Sequence, residues 1–190
     1  MTIGAVLFAG GLSRRMGTDK AKLKIDDMDF LTKIASELGD FDERLLSVAR
    51  AGDRDLPEGF EEVPDIYTGR GPIGGLFSAL SRCRSDALLT LSCDLPLFDR
   101  DFAAFLAANA EGCDVLIPRT ADGRAHPLCA VWQKSCAPVL AAHLHGGDCR
   151  LMNAAEDLNV RYIDPDDFSR CLTNVNTPED YKALFPKGDT

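Results

Sequence analysis

The sequence predicts an α/β protein: a single three-layer domain over residues 1–190, with helices on both faces of a doubly wound, mostly parallel sheet. Three observations lead there. Strand and helix patterns alternate from end to end, with no repeat, low-complexity stretch or linker between them. Ala87-Leu88-Leu89-Thr90-Leu91 is a near-continuous apolar run, as a parallel strand buried on both faces requires. Ile3-Gly4-Ala5-Val6-Leu7-Phe8 is a second such run, and it passes straight into Ala9-Gly10-Gly11, the layout that brings a glycine-rich loop to the carboxyl edge of a sheet.

The elements follow in order. After the first loop, Leu23-Lys24-Ile25 reads as a short extended piece. Phe30, Leu31, Ile34, Ala35 and Leu38 recur at helical spacing, with Gly39 as the stop. Arg44 to Ala49 is the next strand, residues 50–60 a polar loop, and Glu61 to Val63 a short strand ended by Pro64-Asp65. Gly69 to Gly75 opens a helix whose buried face holds Leu76, Phe77 and Leu80. Phe102, Phe105 and Leu106 mark the helix after the central apolar strand, capped by Asp99 or Asp101. Val115 to Ile117 and Pro127 to Trp132 are strands separated by a turn around Asp122-Gly123. Ala137 to Leu144 and Leu151 to Leu158 read as helices, and Arg161 to Ile163 as a strand. Thr177-Pro178-Glu179-Asp180 is a helix start, with Thr as cap and Pro in the first position.

Composition narrows the functional classes. A hydrophobic content of 45% and a charged content of 27% are ordinary for a soluble protein. No run of about 18 apolar residues is present, so no membrane span is expected. The N-terminus lacks the pattern of a secretory leader, and a cytoplasmic location is expected. The net charge of −9 argues against general binding to nucleic acid or anionic membranes. The seven cysteines form no Cys-x-x-Cys pair and do not interleave with the three histidines as zinc ligands would. Most sit among apolar residues and read as reduced, packed thiols.

Against that acidic background the first loop reverses sign. Arg14, Arg15, Lys20, Lys22 and Lys24 place five positive charges within eleven residues. Gly10, Gly11 and Gly17 let the backbone turn tightly and bring N–H groups close to an anion. The loop suits nucleotide phosphates, yet neither familiar motif fits. Lys20 follows Asp19 and precedes Ala21, which excludes the Walker pattern, and Gly10 and Gly11 are adjacent, which excludes Gly-x-Gly-x-x-Gly. Further on, Asp94 stands just past the central apolar strand, where open α/β sheets bind ligands. A hard cation such as Mg²⁺ commonly uses one or two carboxylates together with substrate phosphates, and Asp94 fits that role.

Leu7-Phe8-Ala9-Gly10-Gly11-x-Ser13-x-Arg15-Met16-Gly17-x-Asp19-Lys20 resembles the signature of nucleotidyltransferases, and the double glycine that of the molybdenum cofactor guanylyltransferases in particular. Phe8 departs from the aliphatic residue usual there. The resemblance implies a Rossmann-like fold and assigns residues. Phe8, Ala9, Gly10, Gly11, Lys20, Asp65 and Asp94 would contact the nucleotide. Arg15, Lys20 and Asp94 would act in catalysis, and Asp94, in the intact Cys93-Asp94-Leu95-Pro96, would bind Mg²⁺. Asp122-Gly123-Arg124-Ala125-His126-Pro127-Leu128 resembles the family's Asp-Gly-x-x-His-Pro-Leu turn, and Asn174-Val175-Asn176-Thr177-Pro178-Glu179 its Asn-x-Asn-Thr-Pro-Glu segment. These would place Arg124, His126, Asn174 and Asn176 on the second substrate. Gly71-Pro72-Ile73-Gly74-Gly75 looks like a further family segment, whose glycines would either admit the nucleotide or let a helix pack closely. The family's guanine-contacting Asn has no counterpart in Leu46-Ser47-Val48-Ala49-Arg50.

The reaction so implied takes GTP and molybdopterin or molybdenum cofactor to the guanine dinucleotide cofactor and pyrophosphate. Recipient molybdoenzymes or their chaperones would be further partners. A cytidylyltransferase on the same acceptor, a sugar-phosphate nucleotidyltransferase and a non-catalytic cofactor carrier are the alternatives. Gly10 argues against the first, the His126 and Asn174/Asn176 segments against the second, and Lys20 with Asp94 against the third.

Overall fold

The computed structural model describes residues 1–9, 24–25 and 28–185. Its strands are β1 (Ile3–Phe8), β2 (Lys24–Ile25), β3 (Met28–Asp29), β4 (Arg44–Val48), β5 (Glu61–Pro64), β6 (Ala87–Ser92), β7 (Val115–Pro118), β8 (Cys129–Gln133) and β9 (Val160–Ile163). The helices are α1 (Phe30–Glu37), α2 (Pro72–Arg82), α3 (Arg100–Ala108), α4 (Ala137–Gly146), α5 (Leu151–Glu156) and α6 (Pro178–Leu184). The described residues also hold the 3₁₀ turns Lys134–Cys136 and Asp166–Leu172. The strands and helices follow the sequence pattern closely. The 3₁₀ turns and the small β2–β3 antiparallel pair do not announce themselves in it.

Seven strands form one sheet in the order β5-β4-β1-β6-β8-β7-β9. The pairs β5–β4, β4–β1, β1–β6 and β7–β9 are parallel. β8 runs antiparallel to both its neighbours, β6 and β7. The doubly wound, mostly parallel architecture expected from the sequence is the one observed.

The period of two along each strand sorts side chains into two cores. Ala5, Leu7, Leu89 and Leu91 pack on one face with Ile34 and Leu38, and with Phe102 and Leu106 of α3. Val6, Phe8, Leu88 and Trp132 pack on the other with Ile73, Leu76 and Leu80 of α2, Leu140 and Leu144 of α4 and Ala154 of α5. Each large apolar side chain so buried stabilises the fold by about 1.5–3 kcal/mol relative to leaving it in water.

Helix starts are fixed by local chemistry. Asp29 caps α1 by accepting from the Thr32 N–H at 2.7 Å. Asp99, rather than Asp101, caps α3 by accepting from the Phe102 N–H at 2.8 Å. Thr177 and Asp180 form a reciprocal capping box on α6.

The helical glycines of α2 serve packing. A Cβ on Gly74 would stand 2.8 Å from the Tyr67 carbonyl oxygen, and one on Gly75 would stand 2.6 Å from Ser47 Oγ and 3.0 Å from the Phe8 ring. At Gly74 and Gly75 these contacts show the close packing that was one of the two readings the sequence left open. All seven cysteines are free thiols, and five of them (Cys83, Cys113, Cys129, Cys136 and Cys171) are buried. Burial pushes the Cys136 and Cys171 thiols up to about 12, so both stay protonated packing groups.

Candidate active site

β1 is the point where the winding reverses: β4 pairs on one side of it and β6 on the other. The crevice outside the carboxyl ends of such strands is where open α/β sheets take their ligands. Register places Phe8 beside Ser92 on β6, and the Cys93 N–H donates to the Phe8 carbonyl at 3.4 Å. The Ala9 N–H donates to the Ser47 carbonyl at 3.2 Å, so the chain leaves β1 pinned to β4. Gly10, Gly11, Arg14, Arg15 and Lys20 lie outside the described residues.

Asp94 sits two residues past β6. Its carbonyl accepts from the Val175 N–H at 2.8 Å, which ties the C-terminal segment to this edge. The reversed direction of β8 supplies the other wall. Leu91 near the end of β6 pairs with Cys129 at the start of β8, so the turn preceding β8 arrives beside Asp94.

The result is a pocket of about 220 Å³ lined by Ser92, Asp94, Arg124, His126 and Asn174, with Leu95, Pro127 and Leu128 among its apolar walls. Four residues singled out in the sequence, from three separate stretches of chain, therefore share one cavity. Arg124 Nη2 donates to Asn174 Oδ1 at 2.9 Å, joining the turn to the C-terminal segment across the rim. Asn176 does not line this pocket; its backbone N–H donates to Asp180 Oδ2 at 2.9 Å beside the α6 cap. Asp65 and Phe8 stand elsewhere along the edge. Phe8 is 6% exposed, so its side chain belongs to the core. The Asp65 N–H donates to the Val48 carbonyl at 2.9 Å, and partial burial raises its carboxyl above the usual value.

His126 is the most constrained group in the pocket. It is 7% exposed, and its Nε2 is buried without a hydrogen-bond partner among the described residues. A buried polar nitrogen left unpaired is costly unless something completes it. Its backbone is held on both sides: the His126 N–H donates to the Pro118 carbonyl at 3.0 Å, and its carbonyl accepts from the Cys129 N–H at 2.9 Å. The next carbonyl, that of Pro127, accepts from Trp132 Nε1 at 3.0 Å and Thr90 Oγ1 at 3.4 Å. Trp132 and Thr90 carry no motif, so only the fold reveals them as supports of this turn.

Burial holds His126 below its ordinary value of 6.5, and the charge of Arg124 pushes the same way, against Asp122 and Asp94. The folded state therefore prefers the uncharged ring. Above 6.5 this preference leaves stability untouched. As pH falls from there through the lower folded-state value, the unfolded chain takes up its proton first and stability is lost. Thermal unfolding followed from about pH 8 to pH 5 should show this loss in the wild type and a shallower one in His126→Gln. Equal slopes in the two proteins would assign the loss to other groups.

The donor set at Asp94 suits a hard divalent cation. Asp94 Oδ1 accepts from Ser92 Oγ at 2.5 Å, and Oδ2 meets no partner among the described residues. No cluster of three or more His, Cys, Asp or Glu is present among the described residues. One open carboxylate oxygen, with phosphates and water to complete the shell, is a common arrangement for such an ion.

The family described as MobA-like NTP transferase domain matches residues 5–159. The chain belongs to that family. A relative from Carboxydothermus hydrogenoformans, named a probable molybdenum cofactor guanylyltransferase, is 32% identical over 188 residues, covering 94% of this chain and 93% of its own. Among solved structures, the molybdopterin-guanine dinucleotide biosynthesis protein A from Archaeoglobus fulgidus superposes with a TM-score of 0.79 at 22% identity, covering 96% of each chain. A Mycobacterium tuberculosis protein solved in complex with manganese superposes with a TM-score of 0.69 at 20% identity, covering 99% of this chain and all of its own. At these identities the structures speak for the MobA-like fold alone. No helix among the described residues is long and apolar enough to cross a membrane.

Proposed function

We propose that this chain is a molybdenum cofactor guanylyltransferase, transferring GMP from GTP to the phosphate of a molybdopterin-type cofactor and releasing pyrophosphate. The name of the relative from Carboxydothermus hydrogenoformans supports the activity. The single structural observation that carries it is the shared pocket of Asp94, Arg124, His126 and Asn174 at the carboxyl end of β6.

An oxygen of the acceptor's terminal phosphate attacks the α-phosphorus of GTP, and the bond to the β-phosphate breaks as pyrophosphate leaves. The attacking oxygen is already anionic, so no general base is needed and the work is positioning and charge stabilisation. In this reading the glycine-rich loop that follows Phe8 and Ala9 would receive the nucleotide phosphates, a role for Gly10 and Gly11 resting on the sequence alone, and Asp65 contacts the nucleoside. Arg15 and Lys20 neutralise the departing pyrophosphate, a role resting on the sequence alone. Asp94 would hold Mg²⁺ through its open oxygen, and the bound ion would draw negative charge from the phosphate oxygens. The manganese seen with the Mycobacterium tuberculosis protein agrees with a divalent ion in this fold. Arg124, His126 and Asn174 receive the acceptor. The uncharged His126 ring serves there as a hydrogen-bonding group.

The test is pyrophosphate release by the purified protein with Mg²⁺ and molybdenum cofactor, offered GTP, CTP, ATP and UTP separately. Release with GTP and not without the acceptor is expected. Preference for CTP would keep the chemistry and overturn the base assignment, and silence with every nucleotide would overturn the proposal.

A further inference from the structure

Ser92 is the last residue of β6 and lines the same pocket as Asp94. The main chain around Asp94 is fixed from several directions. The Cys93 N–H is bonded to the Phe8 carbonyl, the Leu95 N–H donates to the Ser92 carbonyl at 3.4 Å, and the Asp94 carbonyl takes the Val175 N–H. What this frame leaves free is rotation of the carboxylate about its own side-chain bonds, and the Ser92 hydroxyl removes it. At 2.5 Å the contact falls at the short, strong end of hydroxyl–carboxylate hydrogen bonds. It also divides the carboxylate: Oδ1 is occupied by a proton donor, and Oδ2 has no hydrogen-bond partner among the described residues.

We infer that Ser92 is a positioning residue that makes Asp94 a one-oxygen ligand and so biases the site towards small divalent cations over Ca²⁺. The inference rests on the reading of Asp94 as the ion's ligand. Mg²⁺ demands a compact octahedral shell to which a carboxylate gives one oxygen, whereas Ca²⁺ readily takes both oxygens of one carboxylate and tolerates a larger, looser shell. A carboxylate with one oxygen already bonded meets the first demand and withholds what the second would exploit. The hydroxyl acts on geometry and on the electron density of Asp94, as partners of metal ligands do elsewhere.

The experiment measures ion binding rather than turnover. Full-length protein with GTP and no acceptor is titrated with Mn²⁺, the free ion being followed by its paramagnetic resonance signal, and Ca²⁺ is then added as competitor. Ser92→Ala should bind Mn²⁺ about tenfold more weakly than wild type, and the ratio of Ca²⁺ to Mn²⁺ affinity should rise by about the same factor. Ser92→Thr, which keeps the hydroxyl, should restore both values. Ser92→Cys, close in size but a weak donor, should follow Ser92→Ala and serves if the alanine variant folds poorly. An unchanged ratio in Ser92→Ala and Ser92→Cys, with binding lost in Asp94→Asn, overturns the role of Ser92 and leaves the proposed activity standing. Full Mn²⁺ binding by Asp94→Asn would remove Asp94 from the ion, and the role of Ser92 with it.

Discussion

Replacing Asp94 by Ala should lower pyrophosphate release by about 10²–10³-fold at saturating GTP and acceptor, because nothing else described in the pocket can take over its negative charge. The fold should hardly notice. The side chain's described hydrogen bond goes to Ser92, whose freed hydroxyl can turn to water, while the Asp94 carbonyl keeps its bond from Val175 in any variant. A stability change within about 1 kcal/mol follows from losing one such bond. Steady-state kinetics with matched urea unfolding curves separates the two effects. Wild-type turnover in Asp94→Ala would take the residue out of the mechanism, and a collapsed unfolding midpoint would make it a structural residue.

Trp132→Ala should have the largest effect on stability. The indole is fully buried in the core beneath α2, α4 and α5, and truncating a buried Trp or Phe to Ala typically costs about 3–5 kcal/mol. The indole also reaches the site, through the bond from Nε1 to the Pro127 carbonyl next to His126. Trp132→Phe isolates that second role, since it keeps an aromatic ring and loses the N–H. It should remain folded, raise KM for the acceptor and leave KM for GTP unchanged. Denaturant unfolding of the Ala variant and two-substrate kinetics on the Phe variant are the measurements. Unaltered acceptor KM in Trp132→Phe would confine Trp132 to packing.

Much of this was legible in the sequence because it is written in local patterns. The apolar runs of β1 and β6, the helical spacing from Phe30 to Leu38 and the caps at Asp99 and Thr177 each depend on residues close in the chain. The motif carboxylate Asp94 could be placed by its distance from an obvious strand. What could not be read depends on partners far apart. Cys129 to Trp132 are buried on both faces, and such a run looks the same whichever way its strand points, so the reversal of β8 left no mark. Gly74 and Gly75 could be read two ways until Tyr67, Ser47 and Phe8 arrived from other elements. Ser92 follows the apolar run Ala87 to Leu91 and carries no motif of its own. Its signal, a hydroxyl two residues ahead of an acid at a strand terminus, is common enough in turns to go unremarked.

The single reversed strand has a consequence for how such a protein can change. One rim of the edge is assembled at the ends of the parallel strands β1, β4, β5 and β6, and the other from Arg124 to Cys129 and Asn174, delivered by the turn before β8 and the segment that follows β9. In the proposed reaction the donor nucleotide belongs to the first half of the chain and the acceptor to the second, and they meet at Asp94. Substitutions in the turn before β8, or around Asn174, can therefore retune which acceptor is taken while the nucleotide side stays intact. The two specificities are separable along the chain, so one could drift, or be engineered, without rebuilding the other.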